Sequence, residues 1–265
     1  MDSNETITVS EETPGGNGEL THSDKMIGVF TEPAKMFQHT SRFPTRNKDW
    51  VIPVLILFLV AGLIQRMALM NEEVYFKVMQ EQSQELDKQV DSGQLSREEA
   101  DQRMDAIETF TKGPIGWVTT IVGALIGGLI FFLLLSLFYF LSSKFILKGE
   151  GGYSSALVAG GLSSYISLLQ VIIAGILTIS LGLRISDFSV ASLWEMDRLT
   201  LSGWLLAKIN PISIWYYIVL SIGLAKMFKS DNVKKYYALV FVSWIISSLI
   251  FFVLAQNISF FKNLI

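Results

Sequence analysis

The stretch IGWVTTIVGALIGGLIFFLLLSLFYFL, Ile115 to Leu141, lies in an interval without a charged residue between Lys112 and Lys144. About 20 apolar residues cross a hydrocarbon core, so this run is a membrane span and not the helix of a soluble core. Outward from it, four more spans emerge: about 50–70, 155–181, 211–228 and 236–256. Arg66, near the far end of the first, has a stem long enough to snorkel to the interface. Asn210 and Pro211 open the fourth as an N-cap followed by proline at the first helical position. With 51% of residues hydrophobic, and the 17% that are charged gathered into blocks, the fold class is all-α: a polytopic membrane helix bundle of five transmembrane helices with an extracytoplasmic helical hairpin.

Lys and Arg placement orients such a bundle. Lys25, Lys35, Arg42, Arg46 and Lys48 precede the first span, Lys144 and Lys148 follow the second, and Lys226, Lys229, Lys234 and Lys235 crowd the link between the fourth and fifth. Five spans put all three segments on one side, so the N-terminus is expected in the cytoplasm and the C-terminal tail, 257–265, outside. The segment 71–113 carries eleven acids against five bases and falls outside with the 182–209 loop. Ser96 stands three residues before Glu99, a capping-box spacing, and the turn-forming Asp91 to Gln94 predicts a helical hairpin. Its acidic surface reads as a solvated face. In the other loop, Trp194 and Trp204 are candidate headgroup anchors.

Residues 1–24 hold six acids and no base and read as a disordered cytoplasmic tail. Residues 25–49 differ: Ile27, Phe30, Met36, Phe37 and Phe43 interleave with Lys35 and Arg42, and Thr31 can cap a helix with Pro33 near its start. This predicts an amphipathic helix on the cytoplasmic leaflet, or a docking surface for a soluble partner.

Several chemistries find no residues here. The chain has no cysteine, and its two histidines, His22 and His39, precede the first span; no span carries enough ligands for zinc. Ser163, Ser164 and Ser167 have no base beside them in the membrane, and no acid lies centrally in any span. No catalytic, cofactor-binding or metal-ligating residue is expected, and no cofactor. What stands out instead is LKGEGGYSSALVAGGLSSYISLLQ, Leu147 to Gln170. On a helix, Ala156, Gly160 and Ser164 form one row of small residues, and Ser155, Ala159, Ser163 and Ser167 form a second beside it. Lipid tails give helices no hydrophobic reason to associate, so close backbone approach across small residues must supply the contact. Gly123 and Gly127 would repeat the device in the second span, predicting packing of spans two and three, or association with another chain. Gln170, with Ser136 and Ser221, is the mid-span polar candidate for a transport path.

The stretch GVFTEPAKMFQHTSRFPTRNKDWVIPVLIL resembles the opening of the Yip1 domain, with a P-x-x-x-F segment at Pro33 to Phe37, then Trp50 and Pro53 at the mouth of the first span. The glycine-rich link into a small-residue third span, Gly149 to Tyr165, is similar to the family's second landmark. The resemblance covers about Met26 to the C-terminus. Tyr165 is followed by Ile166 and Ser167 where the family often has proline, which leaves open whether the third span is kinked. The long acidic hairpin and brief tail look like prokaryotic members, implying a bacterial inner membrane. Eukaryotic relatives act in vesicle trafficking with Rab-type GTPases and have no catalysis of their own. The resemblance thus implies a non-enzymatic membrane scaffold or adaptor; the alternative is a small-solute transporter or channel. Expected partners are the lipid bilayer and a second copy or another membrane protein, with no nucleic acid and no identified small-molecule substrate.

Overall fold

The structure is a computed structural model that describes residues 18–182, 185 and 187–258; residues 1–17 of the tail expected at 1–24, and 259–265 of the tail expected at 257–265, lie outside the described residues. Among the described residues every regular element is helical. Two short helices, α1 (His22–Thr31) and α2 (Pro33–Thr40), lead into α3 (Lys48–Ala68), α4 (Glu72–Asp91), α5 (Arg97–Lys112) and α6 (Pro114–Leu141), which ends in a π-helical turn (Ser142–Ile146). There follow α7 (Tyr153–Leu181), the brief α8 (Val190–Leu193) and α9 (Leu201–Ala207), then α10 (Pro211–Met227) and α11 (Val233–Asn257). Four helices, α3, α6, α7 and α11, are each long and apolar enough to cross a membrane; α9 and α10 form a pair bent by 57° that makes a fifth candidate.

The small-residue helix α7 is the centre of the bundle. It runs without a break, and every residue from Ser155 to Ile166 is buried. Its tightest seam is against α3, where a Cβ on Gly161 would lie 2.4 Å from the Trp50 Cα. Ala156, Ala159, Leu162 and Ile166 pack with Val219, Leu220 and Leu224 of α10. The contact with α6 is looser, since a Cβ on Gly160 would meet side-chain atoms alone, the Phe132 ring at 3.1 Å and the Ser136 hydroxyl at 3.7 Å. Ser163 and Ser164 donate to the Ala159 and Gly160 carbonyls at 2.8 and 2.9 Å, which satisfies both hydroxyls within their own helix. The small face therefore does bring helices together, but chiefly spans one and three. Gly123 and Gly127 do not repeat it: both are exposed, and a Cβ on either would have nothing within 4 Å. On α6 the close approach is at Gly128, beneath the Phe58 ring.

The segment 71–113 folds as a hairpin around Leu86, Leu95 and Ala100, with Gly93 in the left-handed region at its turn (φ 72°). Ser96 and Glu99 form the reciprocal capping box. Hydrogen bonds from the Ser96 backbone N–H and hydroxyl hold the Glu99 carboxyl below its ordinary value. A carboxyl with a lowered folded-state pKa stabilises above its unfolded value and loses that contribution as pH falls through the folded one. Amide protection in the first turn of α5 should therefore decline on acidification below the usual glutamate value of 4.5. Hydrogen exchange on Glu99→Gln should show that dependence flattened. Arg66, expected to snorkel, is buried instead: it donates to the Thr111 carbonyl at 2.6 Å and lies over the Trp117 ring at 5.3 Å. A guanidinium so placed fastens the end of α3 to the junction of α5 and α6.

Candidate functional site

Two constructions concentrate polar chemistry. The first holds the N-terminal helices. The sequence reads one amphipathic helix lying on the leaflet, whereas α1 and α2 are separate helices docked onto the bundle. Thr31 ends α1 and bonds back to the Ile27 carbonyl, so it does not cap α2, whose N-cap is Glu32. The boundary expected at residue 24 falls inside α1, which Thr21 and Asp24 open with a capping box of their own. Thr21 holds the exposed Asp24 carboxyl below its ordinary range by side-chain and backbone hydrogen bonds.

The docking contacts are both polar and apolar. His22 and Lys25, three apart, share one face of α1. Lys25 is 1% exposed, with Nζ 2.6 Å from Asp49 Oδ2 and 3.2 Å from Glu19 Oε1. Asp49, in the first turn of α3, also faces His22 Nδ1 at 3.3 Å, and His22 Nε2 lies 2.7 Å from the Tyr165 hydroxyl of α7. With Nδ1–H given to Asp49, Nε2 accepts from Tyr165. Glu19 pairs in addition with Arg46. This carboxylate–imidazole–hydroxyl row ties α1 to both α3 and α7 and so works as a clamp. On α2, Phe37 is fully buried over Gly223 of α10, where a Cβ would come within 2.9 Å of its ring.

The second construction lies at the break between α9 and α10. Residues 182–209 are expected outside the membrane, yet their second half descends along α11. Gln256 reaches the Leu199 carbonyl at 2.7 Å, the Trp204 indole donates to Ser248 Oγ at 2.9 Å, and Lys208 Nζ lies 6.0 Å from the Trp244 ring. From residue 256 to 244 is about 18 Å along a helix. Trp204 is thus buried against α11 and is not a headgroup anchor, whereas Trp194 is exposed. Lys208 ends level with the middle of α11, since Trp244 is the twelfth of its 25 residues. Asn210 then caps α10, accepting from the Ile212 and Ser213 N–H groups. An ionisable side chain at such depth, beside an interrupted helix, is the usual form of a functional site in a membrane protein.

Two cavities meet there. A polar one of about 270 Å³ has Asp187, Arg198 and Lys208 as its charged lining. An apolar one of about 790 Å³ lies between α3, α6, α7, α10 and α11, and shares Ser213, Trp244 and Ser247 with the first. Gln170 and Ser167 line the larger cavity. Ser136 and Ser221 do not; both are buried, and Ser221 donates to the Tyr217 carbonyl at 2.6 Å.

The assembled features are a docked P-x-x-x-F helix, Trp50 seated on the small-residue span, and helices that cross a bilayer. The Yip1 domain family model matches residues 27–255. The chain belongs to the Yip1 domain family. It is a multi-pass integral membrane protein, and Yip1 domain proteins are generally non-enzymatic. No curated protein and no solved structure matches it. Of the landmarks on which the resemblance rests, Phe37 and Trp50 prove to be packing residues of the Yip1 domain, and Pro33 opens α2. Three residues of the clamp, Glu19, His22 and Lys25, precede the matched segment, while Asp49 and Tyr165 lie inside it. Sequence reasoning missed the clamp; the only signal was the His22–Lys25 spacing ahead of an acid at the start of a span.

Proposed function

We propose that this Yip1 domain protein is a non-enzymatic membrane scaffold whose α1–α2 segment is a rigid platform for a partner. The observation that carries the reading is the buried Lys25–Asp49 pair. It fixes α1 in place while Met26, Ile27, Lys35 and Arg42 remain exposed on the platform. A segment held so firmly, with apolar and basic side chains turned outward, suits protein recognition. Five spans are favoured because the 17 residues of α10 rise only about 26 Å, short of a core about 30 Å thick, and α9 supplies the remainder.

The N-in, C-out orientation is supported by a gathering of basic segments at one end. Glu150 N–H bonds the Phe228 carbonyl, joining the α6–α7 and α10–α11 links, and Val29 and Phe37 share a core with Phe228. Because the chain has no cysteine, Ser92→Cys and Ser230→Cys can be labelled singly with an impermeant thiol reagent in intact cells. Labelling of Ser92→Cys alone is the expected result; labelling of Ser230→Cys alone would invert the orientation. For the platform, pull-down in mild detergent should recover a stoichiometric protein partner that Ile27→Glu loses without a change in thermal stability. A partner retained by that variant would remove the platform from the reading.

A second reading, a small-solute transporter, is favoured by one observation: Gln170 and Lys208 border adjoining cavities at an interrupted helix. Uptake dependent on Gln170 would support it.

A further inference from the structure

We propose that the two adjoining cavities form one binding site for a single-chain anionic amphiphile, a long-chain carboxylate, with its acid group at Lys208 and its tail in the apolar cavity. The site stands independently of the platform. Its mouth is lateral: Phe131 and Phe138 of α6 and Val242, Ile246 and Ile250 of α11 line the larger cavity and are exposed on the apolar surface. A ligand can therefore enter from the hydrocarbon phase.

Length suits an extended chain. The cavity lines α11 from Leu239 to Ile250, a rise of about 16 Å. Chemistry selects hydrocarbon. Ser164, Ser243 and Ser247 each donate to a carbonyl of their own helix, at 2.9, 3.0 and 3.1 Å. Those three hydroxyls ask little of a polar guest, and although Ser167, Gln170 and Ser213 also line the cavity its remaining wall is mostly apolar, so an empty slot open to lipid tails would forfeit dispersion contacts.

Charge and depth select the head. Asp187 is engaged by Arg198 at 2.8 Å, while among the described residues Lys208 meets the faces of Trp204 and Trp244, at 5.5 and 6.0 Å, and Asp187 acts on it only across the cavity, without a direct ion pair. One acid against two bases leaves the pocket positive. The junction lies level with the middle of α11, whereas the headgroup of a phospholipid in leaflet register stands about 15 Å from the bilayer centre. The anion that reaches Lys208 therefore belongs to a molecule lying within the protein.

The test uses the full chain in nanodiscs of phosphatidylcholine with a photoactivatable palmitic acid, or the matching uncharged alcohol. Adducts should concentrate on Phe131–Phe138 and Val242–Ile250, above those on the exposed Val118, Val122 and Ile126 of α6. Even labelling across both faces would overturn the proposal. Lys208→Gln should lower acid labelling about fivefold, the effect of one cation on an anionic amphiphile, and leave alcohol labelling unchanged; equal labelling by acid and alcohol in the native chain would remove Lys208 from the site. Ser247→Trp, at the junction, should abolish acid labelling, with Ile246→Trp at the mouth used if the first variant fails to fold. A photoactivatable phosphatidylglycerol that labels the cleft better than the acid would overturn the single-chain assignment.

Discussion

Replacing Gly161 with alanine is expected to destabilise the bundle more than any other single-methyl change on α7. The added Cβ would stand 2.4 Å from the Trp50 Cα and 2.5 Å from its Cβ. Both positions are fixed by the α3 helix, so no rotamer change relieves the clash and the two helices must separate. Overpacking of this kind costs about 1–3 kcal/mol, and the upper end applies where backbone, not a side-chain tip, is the obstacle. No hydrophobic effect restores the contact, because lipid is as apolar as the seam it replaces. Gly160→Ala should cost less: its Cβ meets the Phe132 ring edge at 3.1 Å, and that ring, stacked on Trp50 at 5.9 Å, can tilt. Gly123→Ala and Gly127→Ala, with open space around them, should be neutral or slightly stabilising through helix propensity. Thermal unfolding of the four variants in one detergent measures the order. An unchanged particle size on gel filtration assigns the effect to packing within the chain. A Gly161→Ala midpoint equal to that of Gly123→Ala would place the tight seam elsewhere.

That series also marks how far the sequence could be read. Span positions were legible because hydrocarbon imposes a length and excludes charge, and both leave long traces in one dimension. The rows of small residues on α7 were legible as a device for close approach. Their partner was not: the two rows point to spans two and three, while Gly161, in neither row, makes the closest contact with α3. A helix wheel shows which residues are small but carries no record of which neighbour arrives. Gly123 and Gly127 illustrate the reverse, since glycines at helical spacing can equally face lipid.

The candidate sites were less legible for a related reason. Lys208 sits in a stretch with bases and acids, Asp187 to Lys208, that counts as a loop by charge density. It enters the bundle only because Trp204, Ser248 and Trp244 receive it side by side. Lys25 and Asp49 read as two charges at a membrane surface, and only folding takes both out of water. Such pairings of residues 24 apart depend on how α1 lies across α3 and α7, which no local pattern encodes.

Removal of the Asp49 carboxylate should release the platform. Lys25 and Asp49 are each 1% exposed and 2.6 Å apart. Two charges withdrawn from water offset their desolvation only while they face each other, and deleting one partner of such a pair typically costs about 3–5 kcal/mol. Asp49→Ala also takes the acceptor from His22 Nδ1 and a favourable acid from the first turn of α3. Glu19 does not replace it, for its carboxylate is shared with Arg46 at the more exposed side. Hydrogen exchange across residues 22–40 should therefore quicken strongly in Asp49→Ala, with a lower unfolding midpoint. Tyr165→Phe, which strips a single hydrogen bond from His22, should shift both by far less, on the order of 1 kcal/mol. Lys25→Met combined with Asp49→Leu should recover much of the loss, because an apolar pair of similar volume leaves no stranded charge. If exchange across 22–40 in Asp49→Ala matches the native chain, the buried pair does not hold α1, and the platform rests on Phe37 and its apolar neighbours alone.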